Sequence, residues 1–142
     1  MIGRKMGLGE LISSPMDSCQ GQLHPMALEG LRLFNAGAYW KAHEALEEAW
    51  LEEPSPARNL YRGILQVGVV YYHVERQNYV GALKVYARCQ RWLAPFPDVC
   101  RGVDLRQLRR DLEVVIAQVR RLGPDRLQEF DRKLLKPVIY HV

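Results

Sequence analysis

Six side chains in the central part of the chain have the types and the spacing that chemistry requires. They form two rows: His43, Glu47 and Trp50 in one, and Arg62, Gln66 and His73 in the other. On a helix that turns by about 100° per residue, each row lies on one face. The second row interrupts a segment, 60–74, that is apolar on nearly every other side, which is typical of a buried helix. Because buried polar groups need partners, the sequence predicts a polar site or network inside a helical core.

A metal centre is one chemistry that this pattern permits. A histidine and a carboxylate four residues apart, His43 and Glu47, can bind one metal ion from one helix face, and His73 can add a ligand from the next helix. The zincin pattern H-E-x-x-H is absent, however, because Glu47 stands in place of its second histidine, and the sequence also lacks the E-x-x-H pairs of di-iron bundles. We therefore predict no metal and no cofactor, and His43, Glu47 and His73 remain the candidate ligands if a metal binds.

General acid–base catalysis by His43 or His73 is a second possibility, because the ordinary pKa of histidine lies near neutrality. No nucleophile is evident beside them in the sequence, so no reaction can be named. The interpretation that we favour is structural: Glu47 pairs with Arg62 between the two helices. The remaining polar side chains then complete a hydrogen-bonded network: His43, Gln66 and His73.

Five predicted helices position these residues, and no segment alternates convincingly as a strand. The helices cover approximately residues 25–35, 39–52, 56–76, 79–94 and 105–122. Ser55, Asn78 and Asp104 are the predicted N-caps of the third, fourth and fifth helices. Gly37 and Gly123 follow the first and the fifth helix as C-terminal caps. A short helical turn at 125–130 and an extended tail at 136–140 complete the prediction.

These elements predict an all-α fold, a five-helix bundle made of two antiparallel hairpins plus a C-terminal helix. Residues 1–23 are rich in Gly, Ser and Met without a helical or strand period, and we expect a mobile N-terminal arm there. Residues 24–142 are then a single helical domain, which is long enough to bury its own core.

The beginnings of the second and the fourth helix are alike. Tyr39 is followed by Ala42, and about forty residues later Tyr79 is followed by Ala82. This partial pattern is similar to the tetratricopeptide repeat, in which small residues let two helices approach closely. Two copies fall short of the three or so that a solenoid needs.

The same segment carries a more specific resemblance. The series N-x-G-x-Y from Asn35, H-E-x-x-E-x-x-W from His43 and R-G-x-x-Q-x6-H from Arg62 resembles the domain of unknown function 309 family. The resemblance implies a small all-helical protein without an established activity. It also implies a candidate binding or polar site at these positions: His43, Glu44, Glu47, Trp50, Arg62, Gln66 and His73. One departure is Gln77, where the family tends to have glycine before the asparagine.

Composition and cysteine content place limits on the class of protein. The chain has 142 residues, of which 48% are hydrophobic and 25% charged, as in ordinary soluble proteins. No stretch reaches the roughly 18 consecutive apolar residues of a membrane span, and the N-terminus lacks the apolar centre of a signal peptide. We therefore expect a cytoplasmic protein with no membrane partner. Three cysteines without C-x-x-C spacing predict free thiols rather than a disulfide framework or a zinc site.

The net charge of +4 comes from an excess of arginine in residues 101–142. On the fifth predicted helix the arginines gather opposite its apolar side: Arg106, Arg109, Arg110, Arg120 and Arg121. Such a face can bind a phosphate backbone or an acidic partner, although a solvated surface is the more ordinary interpretation.

The leading function hypothesis is a noncatalytic interaction or scaffold domain, whose partner is unidentified and can be another protein or a second copy of the chain. The alternatives are a small metal-dependent or acid–base enzyme and a binder of RNA or an acidic partner, a nucleic-acid partner being the less favoured.

Overall fold

The computed structural model describes residues 14–142. In that part of the chain five long helices carry the fold: α1 (Pro25–Asn35), α2 (Tyr39–Glu52), α3 (Arg58–Glu75), α4 (Tyr79–Leu93) and α5 (Leu105–Leu122). The predicted all-α class is confirmed. None of these helices combines the length and the apolar character that crossing a membrane requires.

The ends of the helices follow local capping chemistry. Helices α1, α2 and α5 begin and end where the sequence predicts. The backbone N–H of Gly81 donates to the Asn78 side chain, and that of Gln107 donates to the Asp104 side chain, so both predicted N-caps are confirmed. The prediction for α3 is wrong at its start, because Ser55 does not cap the helix. Its hydroxyl binds the Glu53 carboxylate and accepts from Ala57 N–H, and the helix begins only at Arg58.

One loop joins the two helices of each hairpin, and the two loops have similar geometry. Gly37 between α1 and α2 has φ +80°, and Gln77 between α3 and α4 has φ +61°. In both loops the next residue donates a backbone hydrogen bond to a carbonyl of the preceding helix, Ala38 to Leu33 at 2.9 Å and Asn78 to His73 at 2.8 Å. Gln77 thus adopts the left-handed conformation that glycine provides more easily.

Helix α3 is the centre of the helical layer and packs against both α2 and α4, while α1 packs against α2. Helices α3 and α4 approach each other closely at Gly63, because a methyl group there would lie 2.5 Å from the Leu93 side chain of α4. Helix α5 adds its apolar side to the same core through a row of buried side chains: Leu108, Leu112, Val115, Ile116 and Val119.

A short antiparallel ladder between α4 and α5 contradicts the prediction that the chain has no strand. Its strands are β1 (Val99–Cys100) and β2 (Val103–Asp104), and Tyr140 of the extended tail adds a bridge to Val103. Strands of two residues are too short to show an alternating pattern in a sequence. After α5, the predicted helical turn is a 3-10 turn, Leu127–Glu129, and a second one follows at Arg132–Leu134.

The prediction of free thiols is wrong for two of the three cysteines. A disulfide joins Cys19 to Cys100 of β1 across 81 residues of sequence. No local spacing announces a pair so distant, which is why the sequence did not reveal it. Cys89 is free and buried.

The predicted arm, residues 1–23, is only partly described, and residues 1–13 lie outside the described part of the chain. In the remainder, Pro15–Ser18 forms one helical turn that Ser14 caps. The disulfide and hydrogen bonds from Arg101 to the carbonyls of Ser18 and Gln22 connect this segment to the helical domain.

Candidate binding face

The two predicted rows lie side by side on α2 and α3, on the side of α3 that faces away from its buried residues. All of these side chains are partly exposed, so the site is an open surface rather than a network sealed in the core. We call this surface the binding face, defined by His43, Glu47, Trp50, Arg62, Gln66 and His73. Glu44 is exposed on the outer side of α2.

Arg62 is held between two tryptophan rings. Its guanidinium carbon lies 4.2 Å from the ring centre of Trp50 on α2 and 4.0 Å from that of Trp92 on α4. The predicted ion pair with Glu47 is wrong: within residues 14–142 no salt bridge or side-chain hydrogen bond involves Arg62. The cation is stabilised instead by the electron-rich faces of two indoles, each contact contributing about 0.5–2 kcal/mol.

An aromatic cluster continues the binding face along α2 and α3. The indole of Trp40 stacks on the imidazole of His43, with ring centres 4.7 Å apart and planes at 15°. The ring centre of Tyr72 lies 5.2 Å from that of Trp40, and the guanidinium carbon of Arg76 lies over the Tyr72 ring at 5.4 Å. Trp40 is nevertheless 49% exposed, so a large aromatic surface remains accessible beside the polar rows.

The network predicted between His43, Gln66 and His73 does not form. Among residues 14–142 three buried side-chain atoms lack a hydrogen-bond partner: His43 Nδ1, Gln66 Oε1 and the hydroxyl of Tyr71. Two of the three belong to the binding face. Since an unpaired buried polar group costs about 1–3 kcal/mol, this face carries polar groups that the described fold leaves unsatisfied.

His73 has a structural partner of its own. Because the Asn78 side-chain oxygen accepts from Gly81 N–H, its amide nitrogen donates to His73 Nδ1 at 3.2 Å. Burial lowers the pKa of His73, which favours the neutral ring that this hydrogen bond requires. His73 therefore stabilises the turn between α3 and α4.

The geometry gives no metal centre to the candidate ligands His43, Glu47 and His73. Throughout the described residues, 14–142, there is no group of three or more His, Cys, Asp or Glu side chains that could hold a metal ion.

A second polar cluster, which the sequence did not reveal, surrounds Arg101. Its side chain donates to the carbonyl of Ser18 at 2.7 Å, to Glu53 at 2.8 Å, to the hydroxyl of Tyr61 at 3.1 Å and to Ser55 Oγ at 3.2 Å. The side chains of Arg101 and Glu53 are only 9% and 10% exposed. Burial raises the pKa of Glu53, but the hydrogen bond from Ser55 and the charge of Arg101 outweigh it, so the net pKa is lowered. The only sequence signal was Gly102 after Arg101, which marks a turn.

The arginines of α5 are partly engaged by the protein itself. Arg109 donates to the carbonyls of Leu93 at 2.8 Å and Phe96 at 2.7 Å, and Arg121 donates to Gln118. Arg106 and Arg110 remain exposed. The predicted arginine face is thus only partly available to an anionic partner.

Comparison with known proteins confirms the family resemblance from α1 to the first half of α4. Residues 27–85 match the model of the family described as Domain of unknown function (DUF309). An uncharacterized protein of Aquifex aeolicus (strain VF5) is 30% identical over 84 residues, which are 58% of this chain and 25% of that protein. The uncharacterized protein YpuF of Bacillus subtilis (strain 168) is 43% identical over 56 residues, 39% of this chain and 32% of YpuF. The chain thus spans a third or less of the length of these relatives. The matched family segment contains both rows of the binding face but not Trp92.

Proposed function

We propose that this chain, whose residues 27–85 match the DUF309 model, is a noncatalytic interaction domain that binds a partner protein through the binding face. The observation that carries the proposal is the half-exposed indole of Trp40 beside a face that also holds two unpartnered polar atoms, His43 Nδ1 and Gln66 Oε1. Buried polar atoms are nearly always paired, and since the fold covers these two atoms, both side chains would have to turn outward for a partner to satisfy them. Trp40, half exposed beside them, supplies the large aromatic contact that interfaces favour.

Binding agrees with the state of the two histidines better than catalysis does. His43 is stacked against Trp40, and His73 is engaged by Asn78 in a turn. General acid–base chemistry needs a histidine free to reach a reacting atom.

The charge of α2 favours a protein partner over nucleic acid. Three glutamates are exposed along its outer side: Glu44, Glu48 and Glu52. Their field repels a phosphate backbone that approaches the binding face. A second copy of the chain would be one form of protein partner.

A cytoplasmic location is part of the proposal. A reducing cytosol disfavours a bond such as the Cys19–Cys100 disulfide, so the proposed location predicts that the two thiols are reduced in the cell. Mapping of alkylated cysteines in rapidly quenched cells tests this point.

The experiment is photo-crosslinking from two matched positions in the full chain, produced in its own cells. A photoreactive phenylalanine derivative, which keeps an aromatic ring, replaces Trp40 beside the binding face or Val114 on α5, which are 49% and 50% exposed. We expect one cross-linked protein product from position 40 that is absent from position 114. Added parent protein should reduce the amount of this cross-linked product by competing for the partner, whereas the His43→Ala/Gln66→Ala variant should not reduce it. Equal products from both positions, cross-linked RNA, or competition by the double variant would refute the proposal.

A further inference from the structure

We propose that Trp50, Arg62 and Trp92 form a binding site for a single carboxylate group, supplied by an acidic residue of the partner protein. This inference rests on the proposed function, since it names the chemistry that the binding face recognises.

The N–H donors of the Arg62 guanidinium are available to a ligand. The guanidinium of Arg62 lies over the faces of two indole rings, from the two helices on either side of α3. A contact with a ring face uses no N–H donor, and the five donors of a guanidinium point outward in its own plane. Within residues 14–142 none of these donors is engaged in a salt bridge or a side-chain hydrogen bond, so the edge of the ion is free for a ligand.

The Arg62 side chain is preorganised for binding an anion. A surface arginine normally loses side-chain entropy when it binds an anion. Two tryptophans already fix the Arg62 side chain, so that cost is reduced before the ligand arrives. A planar, immobilised guanidinium matches a carboxylate, which can accept two parallel hydrogen bonds from it.

Arg62 differs from Arg101, which shows how this fold uses an arginine in a structural role. Arg101 donates to five groups, and its charge is paired with Glu53. Arg62, which is partly exposed, has two aromatic contacts in place of those partners. Its charge is therefore stabilised but not neutralised.

Local charge decides between carboxylate and phosphate. Arg62 lies on α3 beside α2, whose outer side is acidic through Glu44, Glu48 and Glu52. A polyphosphate backbone would place several negative charges against these glutamates. One carboxylate flanked by lysine or arginine residues complements both parts of the surface, and the partner segment is expected to have this composition.

The test uses small probes with the full chain, so that no partner needs to be known. N-acetyl-glutamate α-amide supplies one side-chain carboxylate, N-acetyl-glycine supplies a terminal carboxylate, and N-acetyl-glutamine α-amide is the uncharged control. Inorganic phosphate represents the phosphate alternative. Binding is followed by NMR through the Arg62 Nε–H and the indole N–H signals of Trp50 and Trp92.

We expect saturable shifts with the glutamate probe, with a dissociation constant in the millimolar range that suits so small a ligand. The terminal carboxylate should bind more weakly because it lacks the side-chain spacer, and the glutamine probe should not bind. Arg62→Lys keeps the charge but loses the planar, paired N–H donors of the guanidinium, and should weaken binding about tenfold. Arg58→Gln, an exposed arginine one turn earlier on α3, is the matched control and should leave binding unchanged.

Absence of saturable shifts, equal binding of the glutamine probe, or tighter binding of phosphate would overturn the carboxylate site. The selectivity between glutamate and glutamine probes is measured on the parent protein and does not depend on how a variant folds. A failure here together with specific cross-linking from position 40 would reject the carboxylate site alone and leave the interaction surface standing.

Discussion

At the scale of single residues, the side chains of the binding face differ sharply in what holds them. Arg62 is held by two tryptophan faces, whereas Glu47 is partly exposed and forms no salt bridge within residues 14–142. We expect Arg62→Ala to lower the free energy of unfolding by about 1–3 kcal/mol, because both cation–π contacts and the packing of the alkyl chain are lost. Glu47→Ala should change it by less than about 0.5 kcal/mol. Urea unfolding of both variants measures the difference, and equal losses would mean that the two side chains are paired after all.

Gln66 allows stability and binding to be separated. Its Oε1 atom is buried without a partner, so replacing the amide by an apolar side chain of similar length removes a desolvation cost. We expect Gln66→Met to raise the free energy of unfolding by about 1 kcal/mol and to reduce specific cross-linking from position 40. Gln90→Met is the control, because the Gln90 amide donates to the Tyr86 hydroxyl and its replacement should destabilise. A destabilised Gln66→Met protein would contradict this view of the binding face.

The sequence predicted which of these side chains share a helix face, but it did not predict their partners. The periodicity of His43, Glu47, Arg62 and Gln66 places them on two adjacent faces, which the structure shows. It could not show that Arg62 contacts Trp92, from a third helix, instead of pairing with Glu47. Which side chain faces which across helices depends on their crossing, and that information is not local in the sequence.

At the scale of elements, the two interhelical loops provide a matched pair of substitutions. Gly37 and Gln77 both have positive φ, at +80° and +61°, but only one of them is glycine. We expect Gln77→Gly to stabilise the protein by about 0.5–1 kcal/mol, since glycine adopts this region without steric cost. Gly37→Gln should destabilise by a similar or larger amount, and no atom of residues 14–142 lies close enough to Gly37 to add a clash. Thermal unfolding checks both. Destabilisation by Gln77→Gly would show that the glutamine side chain contributes contacts that outweigh its strained backbone.

Elements with strong local signals were predicted well, and those decided by distant contacts were not. The caps Asn78 and Asp104 and the glycine after α5 mark helix ends that a sequence can display. Ser55 has the same residue type as a cap, but Glu53 and Arg101 engage its hydroxyl, so α3 begins later. The two-residue strands of the ladder are likewise fixed by contacts across the chain and not by their own pattern.

At the scale of the whole molecule, Arg101 connects parts of the chain that are far apart in sequence. It binds the N-terminal segment at Ser18, the loop after α2 at Glu53 and helix α3 at Tyr61, and it lies beside the disulfide cysteine Cys100. Its partners are between 40 and 83 residues away. Long-range pairs of this kind explain why neither the disulfide nor this cluster could be predicted from spacing.

The connection that Arg101 makes through Glu53 is expected to depend on pH. The pKa of Glu53 is lowered in the folded protein, so the unfolded chain takes up a proton on this group at a higher pH than the folded chain does. The stability that its charge contributes is therefore present above the ordinary glutamate pKa of about 4.3 and is lost as the pH falls through the lowered value. We expect the free energy of unfolding, measured in urea between neutral and strongly acidic pH, to fall less steeply in Glu53→Gln than in the parent. The variant should also be less stable at neutral pH, where its amide leaves the Arg101 charge unpaired. Glu48→Gln, an exposed neighbour on α2, should reproduce the parent profile. If Glu53→Gln kept the full acid slope, other carboxylates would have to carry the pH dependence, and the Arg101 cluster would not be the acid-sensitive connection between these segments.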